Sequence, residues 1–278
     1  MARRTRLIVV AAIALVICAC ARTSRRTLDI ATTTSVQNSG LLESLLPAYS
    51  PALVRVQLAG SGRALKMMSD GAVDLVITHA PDAEAQALAK HRDWAYHKLA
   101  FNRFLIVGPP ADPAAVRGAA DATDAFRRIA RTGVVFLSRG DESGTHERER
   151  SLWRDAGAMP DPTHLLVSGQ GMAITLRHAD DRQAYTLTDD ATFAQLEQQL
   201  DLAPLFVADP RLLNTYAVVY RPDNPTATEF AEWLISGTGR LRTAEYEANG
   251  RRVFTVWPAA CPASEPADQP CGADRAAD

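Results

Sequence analysis

The sequence has no surplus of charge of one sign, no internal repeat and few cysteines. Its 278 residues contain 30 Lys and Arg against 32 Asp and Glu, with no basic block. A nucleic-acid partner is not expected, because proteins that bind nucleic acid concentrate positive charge on one face. The six histidines and four cysteines show no metal-ligand spacing, and no nucleotide-binding motif is present. We therefore expect neither a metal site nor a cofactor.

Long apolar runs are also absent, apart from one at the N-terminus. Three arginines precede an uncharged stretch, residues 7–17, which is too short to span a bilayer and is typical of an export signal. A lipobox ends at Cys20, with Ile17 three residues before it and the small Ala19 directly before it. Residues 1–19 are therefore interpreted as a signal peptide and Cys20 as the acylated first residue of the mature chain. An ordinary cleaved signal with an incidental Cys20 is the alternative.

Removal of the signal makes the mature chain more acidic. The three arginines leave with it, which lowers the net charge from -2 to -5. Near the other end, Cys261 and Cys271 lie in a Pro/Ala-rich stretch, residues 258–278, whose lack of aliphatic periodicity predicts a flexible tail. In an oxidising compartment a disulfide between these two cysteines is the simplest interpretation, since no histidine or second cysteine pair lies near enough for a zinc site.

Between the signal and the tail, short β-branched runs alternate with helical patterns. This alternation predicts an α/β architecture with a mainly parallel sheet, and about 230 residues fit two lobes better than one domain. No further membrane helix is predicted. The predicted strands are residues 28–33, 54–59, 73–78, 104–107, 134–138, 165–168, 184–188 and 216–220.

Four of these strands are followed by a turn rich in hydroxyls or glycine, and then by a helical pattern. Helix N-termini expose unpaired N–H groups, and open α/β sheets bind ligands where strands end, so these turns could converge on a small anion. The alternative is simple capping by Ser39, Ser61 and Ser143. The donors packed between Arg139 and Thr145 favour the anion site. The turns are residues 32–35, 60–62, 138–145 and 169–171.

At these turns the sequence resembles the tungstate-binding proteins of ABC transporters. The likeness runs from about Thr27 to about Pro222, and its motifs occur in the same order. They are Ala31-Thr32-Thr33-Thr34-Ser35, Asn38-Ser39-Gly40-Leu41-Leu42, Gly60-Ser61-Gly62-Arg63-Ala64-Leu65-Lys66, His79-Ala80-Pro81, Phe104-Leu105-Ile106-Val107-Gly108-Pro109, Ser138-Arg139-Gly140-Asp141-Glu142-Ser143-Gly144-Thr145-His146, Gly169-Gln170-Gly171-Met172 and Tyr185-Thr186-Leu187-Thr188-Asp189.

The resemblance implies a type II periplasmic-binding-protein fold, in which two α/β lobes hold an anion in the cleft between them. After a linker at residues 20–27, the first lobe would comprise residues 28–107 and 216–257, and the second residues 108–215. The resemblance also implies an ABC permease as partner, an extracytoplasmic position, and a monomer without catalytic activity. The lipobox adds a lipid anchor on the membrane. The implied ligand donors are Thr33, Thr34, Ser61, Arg139, Ser143 and Thr145.

Phosphate-binding proteins share a similar Arg-x-Asp-x-Ser-Gly-Thr stretch and are the nearest alternative. In that family an aspartate before Ala-Pro accepts the proton that hydrogen phosphate carries, whereas here the corresponding residue is His79. Tungstate and molybdate are fully ionised near neutral pH and need only donors. His79 as a cleft residue therefore favours an unprotonated dianion. The alternative is that His79 simply packs at the end of a strand.

Two other functions fit parts of the sequence. Ser143, His146 and Asp141 contain the groups of a hydrolase, yet they lie within one turn and helix start, where capping and anion binding explain them better. An anion sensor that signals to a membrane partner would use the same cleft as a transport receptor. The sequence does not separate tungstate from molybdate, because the two anions have nearly the same size and charge.

Overall fold

The computed structural model describes residues 26–266 and shows an α/β fold. The strands are β1 (Thr27–Thr32), β2 (Leu53–Leu58), β3 (Leu75–Thr78), β4 (Ala95–Gly108), β5 (Phe136–Ser138), β6 (Leu165–Val167), β7 (Thr186–Asp189), β8 (Ala203–Phe206), β9 (Leu213–Tyr220), β10 (Glu247–Ala248), β11 (Arg251–Arg252) and β12 (Thr255–Val256). The α-helices are α1 (Thr34–Asn38), α2 (Leu41–Leu45), α3 (Ser61–Ser69), α4 (Pro81–Lys90), α5 (Ala122–Thr132), α6 (Gly144–Ala156), α7 (Met172–Asp181), α8 (Asp190–Leu196), α9 (Pro225–Ile235) and α10 (Thr238–Glu245).

The main sheet is built around β4 and β9, which pair antiparallel. On one side of this pair lie β3, β1 and β2 in that order, and β1 runs parallel to both of its neighbours. β4 is 14 residues long, so that its first part pairs with β9 and its second part with β7 and β8. β5 and β6 form a separate parallel pair. The turns after β1, β2, β3, β5 and β6 therefore leave the ends of parallel strands.

The apolar residues form clusters on both faces of the strands. Along β1, Leu28 and Ile30 belong to one cluster while Ala31 belongs to another, as the alternation of side chains along a strand requires. Along the second part of β4, Phe104 and Leu105 likewise point into different clusters. Helices cover both faces, which is why these strands appear in the sequence as nearly continuous apolar runs.

Several predicted boundaries differ from the structure. β4 begins at Ala95 rather than at the predicted Phe104. The sequence pattern missed its first part because that part places the polar Lys98 and Asn102 on the buried side and so lacks an apolar pattern. The helix expected to start near Ser39 is α2, which starts at Leu41. A short helix, α1, precedes it where the Thr33 hydroxyl accepts a hydrogen bond from a backbone N–H of the first turn. The strand β8 was not predicted.

The described part of the predicted tail, residues 258–266, packs against the body of the protein. The Trp257 indole N–H donates to the carbonyl of Pro262 at 3.2 Å, and the Lys98 N–H donates to the carbonyl of Ala263 at 2.9 Å. Cys261 is only 7% exposed and is disulfide-bonded. These contacts differ from the flexible tail expected over this stretch, because the indole and the β4 backbone supply partners that composition does not reveal.

Other predictions concern residues that the structure does not describe. The signal peptide at residues 1–19, the lipidation site Cys20 and the disulfide partner Cys271 all lie outside residues 26–266. Within the described range, no helix has the length and apolar character that crossing a membrane would require.

Candidate functional site

The side chain of Arg139 is fully buried and joins three turns of the chain. Its Nε donates to the carbonyl of Gln170 at 2.8 Å, in the turn after β6. Its Nη1 and Nη2 donate to Ser35 Oγ at 3.4 Å and to Thr34 Oγ1 at 3.1 Å, both in the turn after β1. A guanidinium presents its donors in one plane, so it can orient several acceptors at once. The turns after β1, β5 and β6 thus meet at one positive charge.

Two carboxylates hold Arg139 in place. Asp141 Oδ2 lies 2.6 Å from the guanidinium, and Glu149 Oε2 accepts the backbone N–H of Arg139 at 2.9 Å. Burial raises the pKa of Glu149 to about 7. Between Arg139 and Asp141 the chain needs Gly140, because its φ is +64° and a Cβ there would collide with Val167. The pairing with Asp141 offsets part of the cost of burying the positive charge.

The helix α6 begins at this turn, and two hydroxyls at its start, those of Ser143 and Thr145, differ in their hydrogen bonds. Ser143 accepts the backbone N–H of His146 at 3.3 Å, so it caps α6 as the simpler interpretation proposed. Thr145 differs, since its Oγ1 is buried and has no hydrogen-bond partner among residues 26–266. A buried polar atom without a partner is costly and uncommon. A ligand oxygen near this hydroxyl would remove that cost.

His79 lies at the end of β3 with both ring nitrogens in contact. Its Nδ1 is 3.0 Å from Asn214 Oδ1, and its Nε2 is 3.1 Å from Thr33 Oγ1. The ring stacks on that of Tyr216, with the centroids 5.3 Å apart. Burial lowers the pKa of His79 to about 4, against the opposing effect of the hydrogen bond to Asn214. The imidazole is therefore neutral at pH 7.

The remaining turns pack closely around His79. The Ser61 hydroxyl is fully buried and lies 3.5 Å from the backbone N of His79. A Cβ added to Gly60 would lie 2.8 Å from the carbonyl oxygen of Glu142, and a Cβ on Gly144 would collide with the His79 carbonyl. The turns after β2 and β3 therefore touch the turn after β5 directly, and glycine is required at both points of contact.

All seven residues expected at the ligand site lie within this group of turns. Thr34 contacts Arg139, Thr33 and Ser61 contact His79, and Gly144, which follows Ser143 and precedes Thr145, packs on His79. Their function as anion ligands stays a prediction.

The sequence patterns missed Ser35, the Gln170 carbonyl and Asn214 as parts of the site. Ser35 and Gln170 lie within motifs that carry the family resemblance, but nothing in the sequence distinguishes them from their neighbours. For Asn214, a polar residue at the start of an otherwise apolar strand was the available signal.

A cavity of about 170 Å³ lies beside His79, between the start of α4 and the first turns of α6. Asp82 lines it from α4, and Glu147 lines it from α6. Burial raises the pKa of Glu147 to about 7, with smaller contributions in the same direction from Asp82 and Glu84. Carboxylates on two different helices thus repel one another across this cavity.

The described residues contain no group of three or more His, Cys, Asp or Glu side chains that could hold a metal ion. Instead, the turns bring hydrogen-bond donors together around the buried guanidinium of Arg139. Donors around a positive charge suit a small anion.

Comparison with known proteins gives a consistent result. Residues 21–238 match the family model of the PBP superfamily domain. The tungstate-binding protein TupA of Peptoclostridium acidaminophilum is 34% identical over 242 residues, which cover 81% of this chain and 84% of that protein. The structure of a tungstate ABC transporter protein from Geobacter sulfurreducens is 35% identical, with a TM-score of 0.69 over 79% of this chain and 98% of that one. The structure of TupA from Desulfovibrio alaskensis G20 is 33% identical, with a TM-score of 0.70 over 83% and 98% of the two chains.

Proposed function

Since this chain belongs to the PBP superfamily, and within it to the family that includes the tungstate-binding proteins TupA, we propose that it is an extracytoplasmic solute-binding protein for a tetrahedral oxyanion. Tungstate is the proposed cargo, and an ABC importer is the proposed recipient. The observation that carries the proposal is the fully buried Arg139, at which the turns after β1, β5 and β6 meet and which contacts the hydroxyls of Thr34 and Ser35. Molybdate has nearly the same size and charge and is the second cargo.

The charge balance of the turns supports an unprotonated dianion. Both ring nitrogens of the neutral His79 already have partners, and the carboxylate of Asp141 is paired with Arg139, so neither is available to accept a proton from a ligand as a free carboxylate would. The unpartnered Thr145 hydroxyl adds a donor. We propose Thr33, Thr34, Ser61, Arg139, Ser143 and Thr145 as the ligand-binding residues, with His79 beside them.

The proposed binding movement is closure of two lobes, residues 28–107 with 216–257 and residues 108–215. The supporting contact is the one between Gly60 and Glu142, which belong to different proposed lobes and touch without room for a Cβ. β4 and β9 run alongside each other where the lobes join, so bending of this pair would open the cleft. Delivery of the anion to a permease then requires only that the permease favours the open form.

Titration calorimetry of the mature protein tests the cargo. Tungstate and molybdate should bind, and phosphate and sulfate should bind far more weakly. Tight binding of phosphate with no binding of tungstate would make the protein a phosphate receptor. An anion sensor would bind the same ligands, so uptake of tungstate by vesicles that carry the permease distinguishes transport from sensing.

Anchoring by lipid rests on the lipobox that ends at Cys20. Cys20→Ser should leave the protein exported but no longer attached to the membrane, because the acyl chains supply the buried methylenes that hold it there. Cys18→Ser is the matched control and should leave attachment unchanged. Sedimentation of membranes measures both variants. Continued sedimentation of Cys20→Ser with the membranes would mean that something other than acylation anchors the protein.

A further inference from the structure

A buried chain of polar side chains leads from the joined strands to the proposed anion site. Asn214, at the start of β9, places its Nδ2 2.8 Å from Asn102 Oδ1 on β4 and 2.7 Å from the hydroxyl of Tyr216. Its Oδ1 is 3.0 Å from His79 Nδ1, and His79 Nε2 is 3.1 Å from Thr33 Oγ1. All five side chains are at least nine-tenths buried, so water does not replace these hydrogen bonds.

The direction of the hydrogen bonds decides what Thr33 can do. Because Asn214 Oδ1 only accepts, His79 carries its proton on Nδ1, and the unprotonated Nε2 accepts from the Thr33 hydroxyl. The same hydroxyl oxygen already accepts the backbone N–H of Val36 at 3.2 Å. A hydroxyl has only one proton, so in this direction Thr33 has none left to donate to an anion.

This direction leaves one group unpaired. Asn102 Nδ2 is buried and has no hydrogen-bond partner among the described residues. Rotating the amides of Asn102 and Asn214 by half a turn preserves their shape but exchanges donors and acceptors. Asn214 Oδ1 then accepts from Asn102 and from the Tyr216 hydroxyl. The unpaired group becomes an oxygen, which proteins tolerate more readily than an unpaired N–H.

The rotation also reverses the rest of the chain. Asn214 Nδ2 donates to His79 Nδ1, so the proton of the neutral imidazole moves to Nε2 and is donated to Thr33 Oγ1. The Thr33 hydroxyl proton is then free to point at a bound anion. In the direction of the structure Thr33 can only accept a hydrogen bond from a ligand, whereas in the reversed direction it can donate one to the ligand.

We propose that Asn214 is a specificity-determining positioning residue of the anion site, and that an unprotonated oxyanion binds with the Asn214 amide in the reversed direction, which makes Thr33 a donor through His79. The inference rests on the proposed function. A protonated ligand such as hydrogen phosphate suits the direction seen in the structure, because it can donate to Thr33. Tungstate has no proton and requires the reversed direction.

The tautomer of His79 tests this directly in the unaltered protein. Nitrogen-15 NMR of the mature protein near pH 7 distinguishes the two tautomers, and the neutral ring avoids interference from protonation. We expect the proton on Nε2 with saturating tungstate. A proton on Nδ1 in the tungstate complex would overturn the inference. Absence of tungstate binding would instead refute the proposed function, so the two failures are distinguishable.

Asn214→Asp provides a second test, with Asn38→Asp as the control. A carboxylate at position 214 only accepts, so neutral His79 is held with its proton on Nδ1, while protonated His79 still donates from Nε2. The carboxylate at position 214 also favours the protonated imidazole of His79. The charge of Arg139 opposes this protonation, and the charge of Asp141 assists it. Tungstate affinity of this variant should therefore fall about tenfold between about pH 6 and about pH 9 as His79 loses its proton.

The control carries the same added charge near the cleft but lies outside the chain of side chains. The Asn38 amide is 3.6 Å from the Cβ position of Gly171, in the turn after β6. The unaltered protein and Asn38→Asp should both show nearly constant tungstate affinity over this pH range. An equally flat profile for Asn214→Asp would overturn the inference, and so would an equally steep one for Asn38→Asp.

Discussion

The two sides of the proposed site differ in charge. The turn after β5 carries the buried guanidinium of Arg139 and its carboxylate partner Asp141, whereas the turns after β1, β2 and β3 present hydroxyls and a neutral imidazole. The first side can therefore supply attraction for an anion, and the second can determine which anion fits. Substitutions on the charged side should change affinity most, and those on the neutral side should change selectivity.

Arg139→Ala should have the largest effect, with Arg127→Ala as its control. Loss of a charge-assisted contact in a buried site should weaken tungstate binding by about 2–5 kcal/mol. Arg127 is half-buried, and its Nε donates to the Ala156 carbonyl at 3.2 Å, but it lies on α5 outside the turns. Calorimetric titration measures both variants, after urea unfolding has shown that each is folded. Equal tungstate affinities would remove Arg139 from the site.

Replacing His79 by Asp should have the next largest effect and should change selectivity. The new carboxylate would lie beside Thr33, where it repels an unprotonated dianion by several kcal/mol at an effective dielectric constant of about 20. Phosphate affinity should rise, because a carboxylate can accept the proton of hydrogen phosphate. His79→Asn controls for the loss of the ring without adding charge. Unchanged tungstate binding by the Asp variant would mean that His79 does not face the anion.

These two residues also show what could be predicted from sequence. Arg139 and His79 directly follow mainly apolar strands, so local patterns placed both at the ends of strands in an α/β fold. Asn102 and Asn214 are 112 residues apart, and only the pairing of β4 with β9 brings them together. That pairing was hidden because the first part of β4 buries polar side chains and lacks an apolar alternation. Contacts that depend on distant pairing had no local signal.

Thr145→Val and Ser143→Ala should separate binding from capping within one turn. Valine has nearly the shape of threonine and removes the unpartnered hydroxyl, so it should weaken tungstate binding by about 1–3 kcal/mol without loss of stability. Ser143→Ala removes a helix cap as well as a proposed anion donor, so it should lower the free energy of unfolding by about 1 kcal/mol in addition to weakening tungstate binding. Titration and urea unfolding of both variants test this. A Thr145→Val protein with full affinity and lower stability would contradict the assignment of Thr145 to the anion.

The smallest effect is expected where both proposed lobes bring negative charge to one cavity. Glu147 on α6 faces the same cavity as Asp82 on α4, and burial, followed by Asp82 and Glu84, raises the pKa of Glu147 to about 7. A carboxyl group whose pKa is higher in the folded state favours folding only while it is protonated. Its contribution is therefore fully present below about pH 4.5 and is lost as the pH rises through about 7.

Glu147→Gln should remove this pH dependence. Between about pH 4.5 and about pH 8 the free energy of unfolding of the unaltered protein should fall relative to that of the variant, by about 1 kcal/mol once solvent screening of the half-buried side chain is included. Asp82→Asn should complete the same loss at lower pH and make it smaller, because the pKa of Glu147 then stays closer to its ordinary value. Urea unfolding at a series of pH values measures all three proteins. Parallel profiles for the unaltered protein and Glu147→Gln would show that the pKa of Glu147 is not raised. Parallel profiles for the unaltered protein and Asp82→Asn would show that the carboxylates do not interact across the cavity, and the charge contrast between the two sides of the site would then be confined to Arg139 and its partner.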